Sequence, residues 1–267
     1  MTISLYAFGG GQMVEAIIRA ALKNKALTPE TTFVTDINEQ RVTYLQQKYN
    51  ITAAVTTTQA LQQAEIILLG VRPQDDWNAI LKTIVKENPR AQVISIIAGV
   101  TLQQLAAATK VQLALTRIIP NTLTETGFGY SGVTRSARAN QKIIEPFLTS
   151  FGKVDYIPEE QLDIYTGYGV AGPNYVYNFF IALTNAGVLG GLSRKQANAV
   201  ALENLKGAAR MLEISGKHPY ELLDINNSAG GVGIAAQHEL DASDFAAGVQ
   251  NAVLAAIQRT TDLGGKH

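Results

Sequence analysis

Three consecutive glycines, Gly9-Gly10-Gly11, follow the apolar run Ile3 to Phe8 and lead into Gln12, Met13 and Val14. A strand that turns straight into a helix presents free backbone N–H groups, because the first turn of a helix has no internal acceptors and the helix dipole adds positive potential. Such a corner can hold a phosphate. Gly9 would permit the tight turn, Gly11 would let the backbone approach a diphosphate, and Gln12 and Met13 would open the helix beneath it. Where a third Gly or Ala usually packs helix on strand, this chain carries Val14. Asp36, 27 residues after Gly9, stands where a carboxylate would accept from adenosine ribose hydroxyls. Its charge disfavours a 2′-phosphate and Arg41 lies close enough to restore it, so the pattern admits either NADPH or NADH. The plainer alternatives are a ligand-free turn at the glycines and, for Asp36, a cap on a helix beginning near Asn38.

Those groups need a framework of strands and helices. Strands are expected over Ile3 to Phe8, Thr32 to Thr35, Glu65 to Leu69, Gln92 to Ile96, Gln112 to Ile118 and Lys153 to Ile157. Between the first of them, Met13, Ala16, Ile17, Ala20 and Ala21, and then Val42, Leu45 and Tyr49, fall on single helical faces. Near-continuous apolar strands alternating with amphipathic helices predict an α/β domain of the Rossmann type, a doubly wound parallel sheet covered on both faces, over residues 1–157. Residues 158–267 lose the strand signal and become rich in Ala, Gly and Leu with helical periods, as in Val249, Ala252, Val253, Ala256, Ile257 and Thr260. Tyr175 to Leu189 is apolar nearly all round and should be buried on every side. Small-residue helices alone make a thin core, which favours a homodimer or larger homo-oligomer built through this half.

Composition narrows the partners. With 267 residues, 22 basic and 22 acidic side chains and 46% apolar content, the chain reads as an ordinary globular protein of one large or two modest domains. Zero net charge argues against nucleic acid or an anionic membrane surface as partner. No apolar run approaches the roughly 18 residues of a spanning helix, and no basic segment precedes the first strand as in a secretory signal, so a cytoplasmic location is expected. Having no cysteine removes thiol chemistry and Cys-ligated zinc, and His218 and His238 lack the spacing of a metal site, so no metal is expected. His218 reads as a cap or surface residue and Trp77 as packing.

Further segments, in order, resemble the pyrroline-5-carboxylate reductase family: Gly70-Val71-Arg72-Pro73, Ser95 to Thr101, Arg117-Ile118-Ile119-Pro120-Asn121-Thr122, Gly172 to Val176, Ala186 to Arg194, Ser215 to Pro219 and Ser228-Ala229-Gly230-Gly231. The resemblance spans almost the whole chain and implies a dinucleotide-binding domain followed by a helical dimerisation domain. It further implies reduction of the cyclic imine Δ1-pyrroline-5-carboxylate to proline by a nicotinamide hydride. Val71, Arg72, Pro73, Ala98, Gly99, Pro120 and Asn121 would then line the nicotinamide half of the coenzyme. Ser228, Gly231, Val232 and Gly233 would hold the substrate carboxylate at a helix start.

The family pattern is broken in places. Gly233 stands for a carboxylate-binding Thr, Arg72 for a Lys, and Ile181 and Leu223 for charged residues, while Tyr168 to Pro173 lacks the usual serines. One lost partner to a carboxylate costs roughly 1.5–3 kcal/mol, so a gain in turnover of at least about tenfold on restoring Thr at position 233 would support the carboxylate turn, and no change would count against it. A paralogue acting on another cyclic imine, or a non-catalytic coenzyme-binding protein, would also fit these departures. Ser228 could equally be an ordinary helix cap.

Overall fold

The computed structural model describes residues 4–52 and 57–264. The chain divides into two compact units, Met1–Ala171 with Ala256–His267, and Gly172–Ala255. The first unit begins with β1 (Leu5–Phe8), α1 (Gln12–Lys23), β2 (Thr32–Thr35), α2 (Glu39–Tyr49), α3 (Thr57–Gln63) and β3 (Ile66–Leu69). It continues with α4 (Trp77–Glu87), β4 (Gln92–Ser95), α5 (Leu102–Ala107), β5 (Ala114–Ile119), β6 (Tyr130–Arg135), α6 (Gln141–Thr149), β7 (Lys153–Tyr156) and α7 (Leu162–Tyr165). Ile3, included in the expected first strand, lies outside the described residues.

Among the described residues the strands form one sheet in the order β2-β1-β3-β4-β5-β6-β7. Pairing is parallel throughout except between β5 and β6, where Thr116 faces Arg135 and Ile119 faces Gly132 in antiparallel register. The sheet is therefore mixed, mostly parallel. Sequence reading misses β6 because Tyr-Ser-Gly-Val-Thr-Arg has neither an apolar run nor a clean alternation. Side chains alternate across the sheet, and both faces are covered. Leu5, Ala7, Ile66, Leu68, Ile94 and Ile118 pack beneath Val14, Ile17 and Ile18 of α1 and Ile144, Phe147 and Leu148 of α6. Tyr6, Ile67, Leu69, Val93 and Leu115 pack beneath Leu61, Leu81, Ile84 and Leu105 of α3, α4 and α5, with Trp77 partly buried against them, as its reading as packing required.

The second unit holds α8 (Gly172–Leu189), α9 (Arg194–Ser215), α10 (Pro219–Asn226), α11 (Val232–Asp241) and the start of α12 (Phe245–Gly264). Ser193 caps α9 through a capping box with Gln196, and His218 caps α10 by accepting from the Tyr220 N–H at 3.3 Å. Helices α8 and α9 approach closely where Gly187 meets Ala197, since a Cβ at position 187 would lie 2.9 Å from the alanine methyl. Burial in this unit is sparse. In α8 only Pro173 and Thr184 are buried, whereas Ile181 is 54% and Leu189 90% exposed. The expectation of burial on every side is not met within one chain, because the apolar surface of α8 exceeds what its own neighbours can cover.

Candidate functional site

Each candidate residue of the first unit lies at or just beyond the carboxyl end of a strand, the edge where parallel sheets offer a crevice. Gly9 follows β1 with φ of 90°, and a Cβ there would sit 2.6 Å from the Gly70 carbonyl oxygen. Glycine is thus demanded twice at this position, by backbone conformation and by the neighbouring chain. Gly70 is demanded by packing alone: its missing Cβ would fall 2.1 Å from a Val14 methyl. Val14, the departure from the dinucleotide fingerprint, is therefore accommodated by a glycine on the adjacent strand end. Gly11 differs from both. It is exposed, and among the described residues no heavy atom beyond its own chain neighbours lies within 4 Å of where its Cβ would be.

Gly11 is also the N-cap of α1, and no side chain caps that helix. Its first N–H groups are left without a side-chain acceptor, as an anion would require. Beside them, Asp36 Oδ2 accepts the Gly10 N–H at 2.7 Å and Oδ1 accepts the Asn38 N–H at 2.9 Å. Asp36 does not cap α2; Asn38 does, accepting from Gln40 and Arg41. The residues present fit a dinucleotide: an uncapped helix start, an open glycine beneath it, and a fixed carboxylate one strand away.

Arg41 is not free. It donates from Nε to the Gly10 carbonyl and from Nη2 to Glu15, and its guanidinium lies 5.0 Å from the Tyr44 ring centroid. Glu15, on α1 and 4% exposed, also receives Lys48 Nζ at 2.9 Å and the Tyr49 hydroxyl at 2.7 Å. Burial alone would push its carboxyl up, but the hydrogen bonds from Tyr49, Lys48 and Arg41 outweigh that and hold it at about 2. Sequence reading does not single out Glu15: apart from Arg19 one turn on at 3.9 Å, its partners Arg41, Tyr44, Lys48 and Tyr49 come 26 to 34 positions later.

Toward the expected nicotinamide half, Val71 and Pro73 are half-buried and Arg72 is exposed, clasped by Asp75 with Nη2 to Oδ1 at 2.8 Å. Ala98 is exposed, and Gly99 lines a cavity of about 480 Å³ with the buried Arg117, whose Nη1 meets Glu159 at 3.1 Å. Pro120 and Asn121 are buried. The Asn121 side chain is taken up by the protein itself, accepting the Leu123 N–H at 3.1 Å and donating to the Gly169 carbonyl at 3.3 Å. Next to Pro120, a second cavity of about 360 Å³ is bounded by Ile119, Tyr130, Tyr165, Tyr168 and Gly169. Its tyrosines are not among the expected residues. Tyr165 donates to Asp155, and that hydrogen bond together with burial raises its phenol above the ordinary range.

The turn of the second unit is built differently. Gly231 is the N-cap of α11, again with no side-chain cap, and its N–H reaches the Ser228 carbonyl at 3.0 Å. Ser228 is therefore not the cap, and it is exposed, as is Val232 at 89%. A Cβ at Gly231 would lie 2.2 Å from Ser228 Oγ, so the hydroxyl sits directly over the helix start. At Gly233 a Cβ would meet Asn227 Oδ1 at 2.5 Å and the Asn226 carbonyl oxygen at 2.7 Å. A Thr at position 233 has no room without the turn moving, so a simple gain of function there is not expected.

Comparison with known proteins adds to this geometry. Residues 159–263 match the family model described as pyrroline-5-carboxylate reductase dimerisation, and residues 5–99 match that of NADP oxidoreductase, coenzyme F420-dependent. A pyrroline-5-carboxylate reductase of Synechocystis is 33% identical, with both chains covered completely. One from Escherichia coli is 30% identical over 96% of each chain. The crystal structure of a Plasmodium falciparum pyrroline carboxylate reductase with NADP bound has a TM-score of 0.85 at 26% identity, covering 98% of both chains. A Coxiella burnetii pyrroline-5-carboxylate reductase shares the fold, with a TM-score of 0.88 at 21% identity over the full length of both.

Proposed function

The chain belongs to the pyrroline-5-carboxylate reductase family, and on that premise we propose that it reduces the C=N bond of Δ1-pyrroline-5-carboxylate to give proline. When bound, the reduced nicotinamide coenzyme supplies the hydride that adds to the imine carbon, and a proton completes the ring nitrogen. The start of α1 is the observation that carries this reading: Gly11 faces open space on an uncapped helix, with Asp36 fixed beside it.

The coenzyme is NADH or NADPH in this reading. Gly9, Gly11, Gln12 and Met13 form the diphosphate cradle and Asp36 takes the ribose hydroxyls. Val71, Arg72, Pro73, Ala98, Gly99, Pro120 and Asn121 border the nicotinamide half. Ser228 and the N–H groups of Val232 and Gly233 hold the carboxylate at the helix start, with Gly231, whose own N–H is taken by the Ser228 carbonyl, shaping the turn beneath it. A protonated imine is already electrophilic, so these groups mainly orient and bind. Residues 1–157 serve the coenzyme and 158–267 the substrate and the subunit interface. A homodimer or larger assembly in the cytoplasm belongs to the same proposal, supported by the exposed Val176, Phe179, Ile181 and Leu189 of α8.

The test is direct. Purified protein given reduced coenzyme and pyrroline-5-carboxylate should oxidise the coenzyme and form proline in equal amount. Coenzyme binding without turnover of this or any other cyclic imine would overturn the enzymatic reading in favour of a binding protein. Faster turnover of an imine lacking the carboxylate would remove the role given to Ser228 and its neighbours.

A further inference from the structure

We propose that the adenosine end of this site selects against a 2′-phosphate, so that the chain takes NADH in preference to NADPH. The inference rests on the coenzyme reading above and goes beyond it by naming which dinucleotide fits and why.

Asp36 is held by two backbone donors, one on each oxygen: Gly10 N–H at 2.7 Å and Asn38 N–H at 2.9 Å. A carboxylate fixed at both oxygens cannot swing aside, yet each oxygen keeps acceptor capacity for a ribose hydroxyl. With the 2′-hydroxyl replaced by a phosphate, the same geometry sets two anionic groups against each other and leaves the carboxylate's acceptor without its donor. Sites that admit the phosphate relieve this with a cation. Two arginines are near enough to be considered, and both are engaged.

Arg41 is bound to the Gly10 carbonyl and to Glu15, and lies against the Tyr44 ring. Glu15 is buried, so withdrawing Arg41 strips a counter-ion from a carboxylate that has little water to replace it. Lys48 and Tyr49 keep Glu15 in place by their own hydrogen bonds, at 2.9 and 2.7 Å. Arg41 is thereby tied to Glu15 of α1 and to the Gly10 carbonyl. Arg72 is paired with Asp75 through Nη2–Oδ1 at 2.8 Å and Nε–Oδ2 at 3.3 Å. Ile37, 94% exposed immediately after Asp36, adds neither charge nor side-chain donor. Glu15 is accordingly a positioning residue for selectivity: it acts by keeping Arg41 occupied.

Equilibrium binding of NADH and NADPH, followed by coenzyme fluorescence with no imine present, tests this apart from turnover. The wild-type protein should bind NADH at least about tenfold more tightly than NADPH. Asp36→Ser should weaken NADH and strengthen NADPH until the ratio approaches one. Glu15→Gln, which loosens Arg41, should narrow the ratio with Asp36 intact. Equal or tighter binding of NADPH by the wild-type protein overturns the selectivity and leaves the coenzyme reading standing. Binding of neither dinucleotide overturns both. Should either variant fail to fold, the wild-type ratio alone decides.

Discussion

The two units solve the problem of apolar surface in opposite ways. In the first, both faces of the sheet are sealed by its own helices, and Leu5, Ile17, Ile66, Ile67, Leu81 and Ile94 have no exposed surface at all. In the second, Ala197 and Ala201 are the apolar side chains of α9 that become buried, while Phe179, Ile181, Met211 and Leu254 stay open. Burying one large apolar side chain is worth roughly 1.5–3 kcal/mol, so the first unit realises that gain within itself and the second leaves much of it to be realised against another copy. This contrast matches a chain whose residues 159–263 belong to a dimerisation family. It teaches that the crevice at the strand ends is built by intrachain packing, whereas the helical unit leaves apolar surface that its own helices do not cover.

Four experiments can break or sharpen the contrast. The largest effect is expected from Gly9→Ala, which combines a disfavoured φ with overlap on the Gly70 carbonyl. The cost should be on the order of 3 kcal/mol or more, with loss of coenzyme binding at any protein concentration. Denaturant unfolding and calorimetric titration would check it.

Glu15→Gln comes next. The folded carboxyl sits at about 2 against 4.5 when free, so its stabilisation is fully present above about pH 4.5 and is lost as pH falls toward 2. The difference corresponds to about 3 kcal/mol at neutral pH. Urea unfolding should therefore separate wild type and variant at pH 7 and bring them together near pH 2; a gap independent of pH would refute the ion cluster's role.

Ile181→Asp should leave the first unit unchanged within about 0.5 kcal/mol, yet weaken self-association by at least about tenfold, as read by sedimentation. A variant that unfolds the sheet without changing assembly would undo the contrast altogether. The smallest pair compares like with like. Thr101→Ala and Ser193→Ala each remove a capping box, at α5 and α9, and should each cost about 1 kcal/mol. Only the Ser193 variant should show a loss that depends on protein concentration.

Much of this is legible in the residues alone. The strand expectations for β2 and β4 fall within a residue of the observed elements because their apolar runs are sharply bounded. Gly9, Gly11 and Asp36 stand out because their positions along the chain carry their meaning. What escapes lies in relationships between distant segments. The role of Gly70 against Val14, the engagement of Arg41 by Glu15 and the tyrosines around Pro120 each join residues that no window of sequence brings together. Polarity hides β6, and the exposure of α8 is unreadable because helical periodicity reports which face is apolar and not what covers it.

The Val14 and Gly70 contact constrains how this sequence can change. A methyl at position 70 collides with the valine, whereas a smaller residue at position 14 merely opens a void above the glycine. A mutational route that holds alanine at position 14 with Gly70 in place is consequently passable, and one that holds alanine at position 70 beside Val14 is closed. Valine at position 14 therefore requires glycine at the end of the third strand, and anyone grafting this loop onto a related scaffold has to carry both positions across together.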